Sequence, residues 1–107
     1  NKIAQTTRIE HRHKRLSKCY SFDTETLTLF FNHEPQMLSK RQRKIIDFLA
    51  QNRGFVCSYE MFMDAVWDDI DVDVATIRAE VNRLKSTFKE DFIVNIRGIG
   101  YSVKIPQ

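Results

Sequence analysis

Apolar residues first recur with period two, at Tyr20, Phe22, Leu27, Leu29 and Phe31, around the polar run Asp23-Thr24-Glu25-Thr26. That alternation predicts a short hairpin with one buried face. Asn32-His33-Glu34-Pro35 turns the chain again, and Gln36 to Leu38 is expected as a third short strand. From Ser39 the period changes. Ser39 with Gln42 three residues on is a capping-box signature, and it opens a helix expected to bury Ile45, Ile46, Phe48 and Leu49 and to run about four turns to Gly54. Phe55-Val56-Cys57 reads as a short apolar linker. Ser58, with Glu60 in the first turn, starts a second helix carrying Tyr59, Phe62, Met63, Val66 and Trp67 at helical spacing. The acidic run 68–73 follows, and Asp73 or a neighbour can cap a third helix in which Ile77, Val81, Leu84 and Phe88 step by four, three and four, the strongest periodic signal of the chain. Period two then returns, with Phe92, Val94 and Ile96 assigned to one face and Ile93, Asn95 and Arg97 to the other. Arg97-Gly98-Ile99-Gly100 is the turn into a last strand with Tyr101, Val103 and Ile105. The expected order is an antiparallel sheet, three helices and a terminal hairpin, an α+β domain without internal repeats.

A chain of 107 residues is one domain in size and leaves no room for separate cofactor and substrate lobes. Residues 1–18 hold little apolar content and are expected to be a basic linker or the end of a preceding helix, with the domain proper at 19–107. The chain starts at Asn1 instead of Met, which suggests a piece of something longer. No run of 18 apolar residues and no hydrophobic leader is seen, so the expectation is a cytosolic protein with no membrane span. The two cysteines, Cys19 and Cys57, are isolated and are read as small hydrophobes or idle thiols.

The net charge of +3 is uninformative until it is divided along the chain. Residues 1–18 carry +5, 19–38 carry −3, 39–57 carry +4, 58–74 carry −6 and 75–107 carry +3. Alternating blocks of this kind suit a molecule with one face for a polyanion and another that rejects it; scattered solvated charge is the competing explanation.

On a helical wheel the face of the third helix opposite its apolar stripe carries Ala75, Ala79 and Ser86 along its centre. Arg78 and Asn82 flank it on one side and Arg83 on the other. Small central residues let a helix approach a surface closely, and a major groove about 12 Å wide admits one helix, where Arg pairs with guanine and Asn with adenine. An ordinary solvated face of good helix formers has the same composition. The hairpin adds a second argument, because Arg97 beside a Gly-x-Gly tip is thin and charged enough for a minor groove.

Other chemistry is weakly supported. Asp69, Asp71, Asp73 and Glu80 match four positions of a calcium loop, but Val74 stands where glycine is needed and Glu80 belongs to the third helix. His11-x-His13 near Cys19 lacks a fourth metal ligand, and His33 has no nucleophile in its segment, so no metal, cofactor or catalytic constellation is assigned.

From Leu38 to Ile105 the chain resembles the winged-helix effector domain of OmpR/PhoB-type response regulators. The likeness rests on Val66-Trp67, on the Asp-Val-Asp that ends at Asp73, on Arg83-Leu84-Lys85, and on Ile96 to Tyr101 as I-R-G-I-G-Y; the preceding strands are similar to the small N-terminal sheet of that domain. The resemblance implies a recognition helix with Thr76, Arg78, Ala79, Asn82, Arg83 and Ser86 toward bases or nearby phosphates and Lys85 on the backbone. It implies Arg97 as the minor-groove arginine, Asn95 beside it, Tyr101 as a phosphate donor, and Ser58 and Tyr59 offering the second helix's N-terminus to phosphate. Many relatives have a basic residue where Tyr59 stands and a His or another neutral or basic residue where Glu80 stands. The implied partners are double-stranded DNA, RNA polymerase at Asp68, Asp69 and Asp71, a receiver domain outside this chain bearing the phosphorylated aspartate of a phosphorelay, and a second protomer on tandem sites. A plain capping loop explains the same aspartates. A winged-helix protein-interaction module, or the cytosolic part of a membrane-anchored one-component regulator, are the alternatives to a cytoplasmic bacterial response regulator.

Overall fold

The computed structural model describes residues 13–68 and 71–105. The N-terminal unit is a four-stranded antiparallel meander of β1 (His13–Arg15), β2 (Tyr20–Asp23), β3 (Thr28–Phe31) and β4 (Glu34–Gln36), paired in that order. The Asp23 carboxylate accepts from the Glu25 and Thr26 N–H groups at 2.9 and 3.3 Å and shapes the turn into β3. Leu27 sits in that turn at φ 55° rather than on the strand. Asn32 and His33, at φ 50° and 70°, make the tight two-residue connection to β4. The third strand expected at 36–38 therefore forms earlier, at Glu34–Gln36.

Strand β1 corrects the expected domain start at residue 19. Lys14 pairs with Phe22 and Arg15 with Ser21, and Leu16 is sealed in the core. Sequence alone concealed this because three polar residues on a sheet edge carry no apolar period. The reading of residues 1–12 as linker or preceding helix lies outside the described residues.

Helix α1 spans Lys40–Gln51 with the capping box formed as read: Ser39 Oγ accepts from Gln42 N–H at 3.1 Å and Gln42 Oε1 from Ser39 N–H at 2.9 Å. It closes at Asn52, earlier than expected, and Gly54 at φ 86° instead donates its N–H to the Val103 carbonyl at 2.8 Å. Within the supposed linker lies strand β5 (Cys57–Ser58), which leads into helix α2 (Tyr59–Ala65). Helix α3 spans Val74–Lys85, capped by Asp73 Oδ1 accepting from Thr76 N–H at 2.8 Å. Strands β6 (Ile93–Ile96) and β7 (Gly100–Val103) form the hairpin, and β5 adds to its β7 edge, giving the order β5-β7-β6.

The three helices bury Ile45, Ile46 and Leu49, then Phe62, then Ile77, Val81 and Leu84 against each other and against both sheets. Two positions depart from the periodic reading. Phe88 lies beyond the α3 cap at Ser86 and stacks on Phe92 at 4.8 Å, both tilted against Tyr20 at 5.2 Å. Phe92 is thereby turned inward before β6 starts, so it falls outside the strand's period. The buried face of β6 is set by Ile93 opposite Val103, while Val94 is exposed.

The same region ties the N-terminal sheet to the α3–β6 connection. Glu90 Oε1 accepts from Ser17 Oγ at 2.5 Å and from Cys19 N–H at 2.9 Å, and Lys89 N–H donates to the Tyr20 hydroxyl at 2.9 Å. These bonds hold the Glu90 carboxyl below the ordinary glutamate range, the Ser17 hydroxyl contributing most.

Candidate nucleic-acid interface

Helix α3 presents Ala75, Thr76, Arg78, Ala79, Asn82, Arg83 and Ser86 to solvent while Ile77, Val81 and Leu84 are sealed beneath it. The asymmetry follows from its sequence: three large apolar residues fix one stripe, and the remaining positions have nothing to bury. The polar side chains are not equally available. Arg83 donates to Glu80 Oε1 at 2.9 Å, an ion pair on the helix's own surface. Ser86 Oγ donates to the Arg83 carbonyl at 2.7 Å and closes the helix end. Lys85 is three-quarters buried and stands 3.8 Å from Asp91.

Arg78 lies on the other flank, beside the wing. With Tyr59, Val74, Asn95, Arg97 and Gly98 it lines a cleft of about 520 Å³ between α3, the start of α2 and the β6–β7 turn. Among the described residues no acidic side chain lines this cleft, and two guanidinium side chains do, so its field favours an anion. Gly98 at φ 76° makes the tight turn that carries Arg97 out into solvent.

Two expected phosphate contacts are corrected by the structure. Tyr101 is 1% exposed, its ring edge-on to Tyr59 at 6.0 Å and to Phe62 at 5.9 Å, so it is a core residue and not a surface donor. Burial pushes its hydroxyl above the ordinary phenol range and Tyr59 adds to this, while the positive charge of Arg78 pulls the other way. Two of the donors at the start of α2 are likewise engaged: Ser58 Oγ accepts from Met61 N–H at 3.2 Å, and Tyr59 N–H donates to the Ile99 carbonyl at 2.9 Å. The first caps the helix locally and the second joins helix to wing.

Asp68 and Asp71 are exposed on the α2–α3 connection, and Asp69 lies outside the described residues. Thr76 holds the Asp73 carboxyl below the ordinary range, first through its side chain and then through its N–H. Arg41 was legible only as part of a basic helix. It stacks over the Trp67 ring at 4.8 Å and donates to the Val66 carbonyl, fastening this connection to α1. Neither Arg41 nor Glu90 had a local signal, because their partners lie far away in sequence. His13 sets its ring against Phe30 at 5.7 Å, and no group of three or more potential metal ligands occurs among the described residues. Among those residues, too, no helix is long and apolar enough to cross a membrane.

A three-helix core whose third helix lies exposed beside a β-hairpin wing, with a small sheet in front, defines a winged helix-turn-helix domain. The chain belongs to the family described as "Transcriptional regulatory protein, C terminal", whose model matches residues 25–103. It is 31% identical over 88 residues to the sensory transduction protein RegX3 of Mycolicibacterium smegmatis, which covers 77% of this chain and 39% of that protein. The chain thus spans well under half the length of this curated relative. Its fold is similar to that of DrrB, a Thermotoga maritima OmpR/PhoB homologue, with TM-score 0.75 at 21% identity over 95% of this chain and 50% of that one. It is also similar to the Klebsiella pneumoniae RstA DNA-binding domain solved with the RstA box, with TM-score 0.73 at 15% identity over 88% of this chain and 98% of that one. The family is one of transcription regulators, not a known enzyme family.

Proposed function

We propose that this domain binds double-stranded DNA sequence-specifically as the output domain of a two-component response regulator. The observation that carries the reading is the union of two surfaces. The exposed face of α3, small at its centre and flanked by Arg78, Asn82 and Arg83, meets the Arg97 wing across a cleft free of acid. Asn82 and Arg83 read base edges in the major groove, Arg97 enters the adjacent minor groove, and Lys85 supplies a backbone contact. Family membership supports regulation of transcription, and the curated relatives, longer than this chain, support a receiver domain beyond it.

The finer partners belong to the same reading. The exposed Asp68 and Asp71, with Asp69 between them in sequence, carry charge that DNA repels and suit a contact with RNA polymerase. Pairs of protomers on tandem sites supply the avidity that one small interface lacks. The site of action is the bacterial cytoplasm.

Selection of bound duplexes from a random pool, followed by a salt titration on the winners, tests this reading. A recovered motif in tandem copies, with affinity falling steeply as about four to six phosphate contacts are lost to salt, is the expected result. No enriched motif together with salt-independent binding would overturn it in favour of a protein-interaction module.

A further inference from the structure

The exposed face of α3 carries two arginines in opposite situations. Arg83 donates through Nη1 to Glu80 Oε1 at 2.9 Å, whereas among the described residues no carboxylate pairs with Arg78. Glu80 is the anchored member of the pair, its side chain 28% exposed against 65% for Arg83. At 3.6 residues per turn it lies about 60° around the helix from Arg83, on the side that leads back to the buried Ile77 and Leu84. The contact therefore draws the guanidinium sideways, away from the outward line of Ala75, Ala79 and Ser86, and sets a full opposing charge beside it. It uses Nη1 alone. Nε and Nη2 remain available as two parallel donors, the geometry that matches O6 and N7 of guanine.

Resting on the DNA-binding reading above, we propose that Glu80 is a specificity-determining residue of the interface: its carboxylate ties Arg83 down against phosphate and leaves the Nε–Nη2 edge free to read guanine. A phosphate oxygen offers Arg83 only an exchange of one anion for another, so on an arbitrary duplex the guanidinium stays with Glu80 and adds nothing to affinity. A correctly placed guanine adds two hydrogen bonds while Nη1 keeps its carboxylate. Arg78, without such a counter-charge, attracts any duplex.

The test uses the tightest duplex recovered from the random pool, a scrambled duplex of equal length, and the variants Glu80→Gln, Arg83→Ala and their double. Glu80→Gln keeps the size of the side chain and an acceptor for Nη1 and removes the charge. It is expected to strengthen the selected duplex about twofold, the effect of taking one negative charge away from the phosphates. The scrambled duplex should gain about sixfold to tenfold, because the released Arg83 adds a phosphate contact of its own. Preference for the selected duplex thus falls about threefold to fivefold. In the Arg83→Ala background the same change is expected to strengthen both duplexes about twofold and to leave the preference where it was, since the partner is gone. Melting temperatures should change little, because an exposed ion pair adds little stability. Repeating the pool selection with Glu80→Gln is a second readout, in which a guanine of the wild-type motif is expected to lose preference; an unchanged motif removes the role. A preference that Glu80→Gln leaves intact, or that falls equally with and without Arg83, overturns the proposal while the DNA reading stands. A wild-type protein that binds neither duplex, or both alike, overturns the sequence-specific reading and this proposal together.

Discussion

Replacing Gly100 by alanine tests how the wing is held to the rest of the domain. A Cβ on Gly100 would lie 1.9 Å from the Cys57 carbonyl oxygen and 2.9 Å from both the Cys57 carbonyl carbon and Ser58 Cα. A carbon needs roughly 3.3 Å from a carbonyl oxygen, so β5 and β7 must separate by more than about 1 Å, which stretches hydrogen bonds of about 2.9 Å past their useful range. All the obstructing atoms are backbone, and no side chain can swing away to absorb the change. The bonds at risk are the short Cys57–Tyr101 and Ser58–Gly100 ladder and the Tyr59 N–H to Ile99 carbonyl bond. At about 1 kcal/mol for each of roughly three bonds the loss is about 3 kcal/mol, at the upper end of ordinary overpacking costs. For a domain of this size that lowers the melting temperature by roughly 12–24 °C. Gly98→Ala is the control, because Gly98 has φ 76° but no atom within 4 Å of its would-be Cβ. Its cost is the left-handed backbone alone, about 1 kcal/mol. Thermal unfolding followed by circular dichroism ranks the two. If Gly100→Ala melts at or above Gly98→Ala, the backbone approach is not what fixes the wing.

Three further outcomes are expected. Glu90 has its pKa lowered by folding, so its clamp on Ser17 and Cys19 contributes stability fully present above the ordinary glutamate pKa and lost as pH falls through the depressed folded value. Urea melts at pH 3 to 7 should show wild type losing more stability on acidification than Glu90→Gln, and parallel curves would show that Glu90 does not titrate with folding. Glu80→Gln frees Arg83 and removes a negative charge from the recognition face; DNA affinity should rise for all duplexes with a salt slope steeper by about one, measured by anisotropy at two salt concentrations. A fall in affinity would instead make Glu80 an aligner of Arg83. Arg97→Ala should weaken duplexes with a narrow A·T-rich minor groove more than G·C-rich ones of equal affinity, and a uniform loss would reduce Arg97 to a phosphate contact.

Amino-acid pattern alone determined the helices and the strands with a clean period. Ser39 and Gln42 wrote the start of α1, Asp73 the start of α3, and Ile77, Val81 and Leu84 its buried stripe, so the exposed face with Arg78, Asn82 and Arg83 was determined by subtraction. These are local features in which a cap or a stripe needs only residues a few positions apart. The Arg97-Gly98 turn was legible for the same reason.

Tertiary structure decided whatever depended on partners far along the chain. Strand β1 has no apolar period and exists because β2 offers it a free edge; β5 exists because Gly100 lets Cys57 come close. Phe92 leaves its strand's period because Tyr20 and Phe88 form an aromatic pocket for it. Sequence likewise could not separate Arg78 from Arg83, two arginines on one helix face. Only the fold sets one in the cleft beside the wing and the other against Glu80, since side-chain availability is fixed by neighbours in space and the periodicity of a single helix carries no record of them.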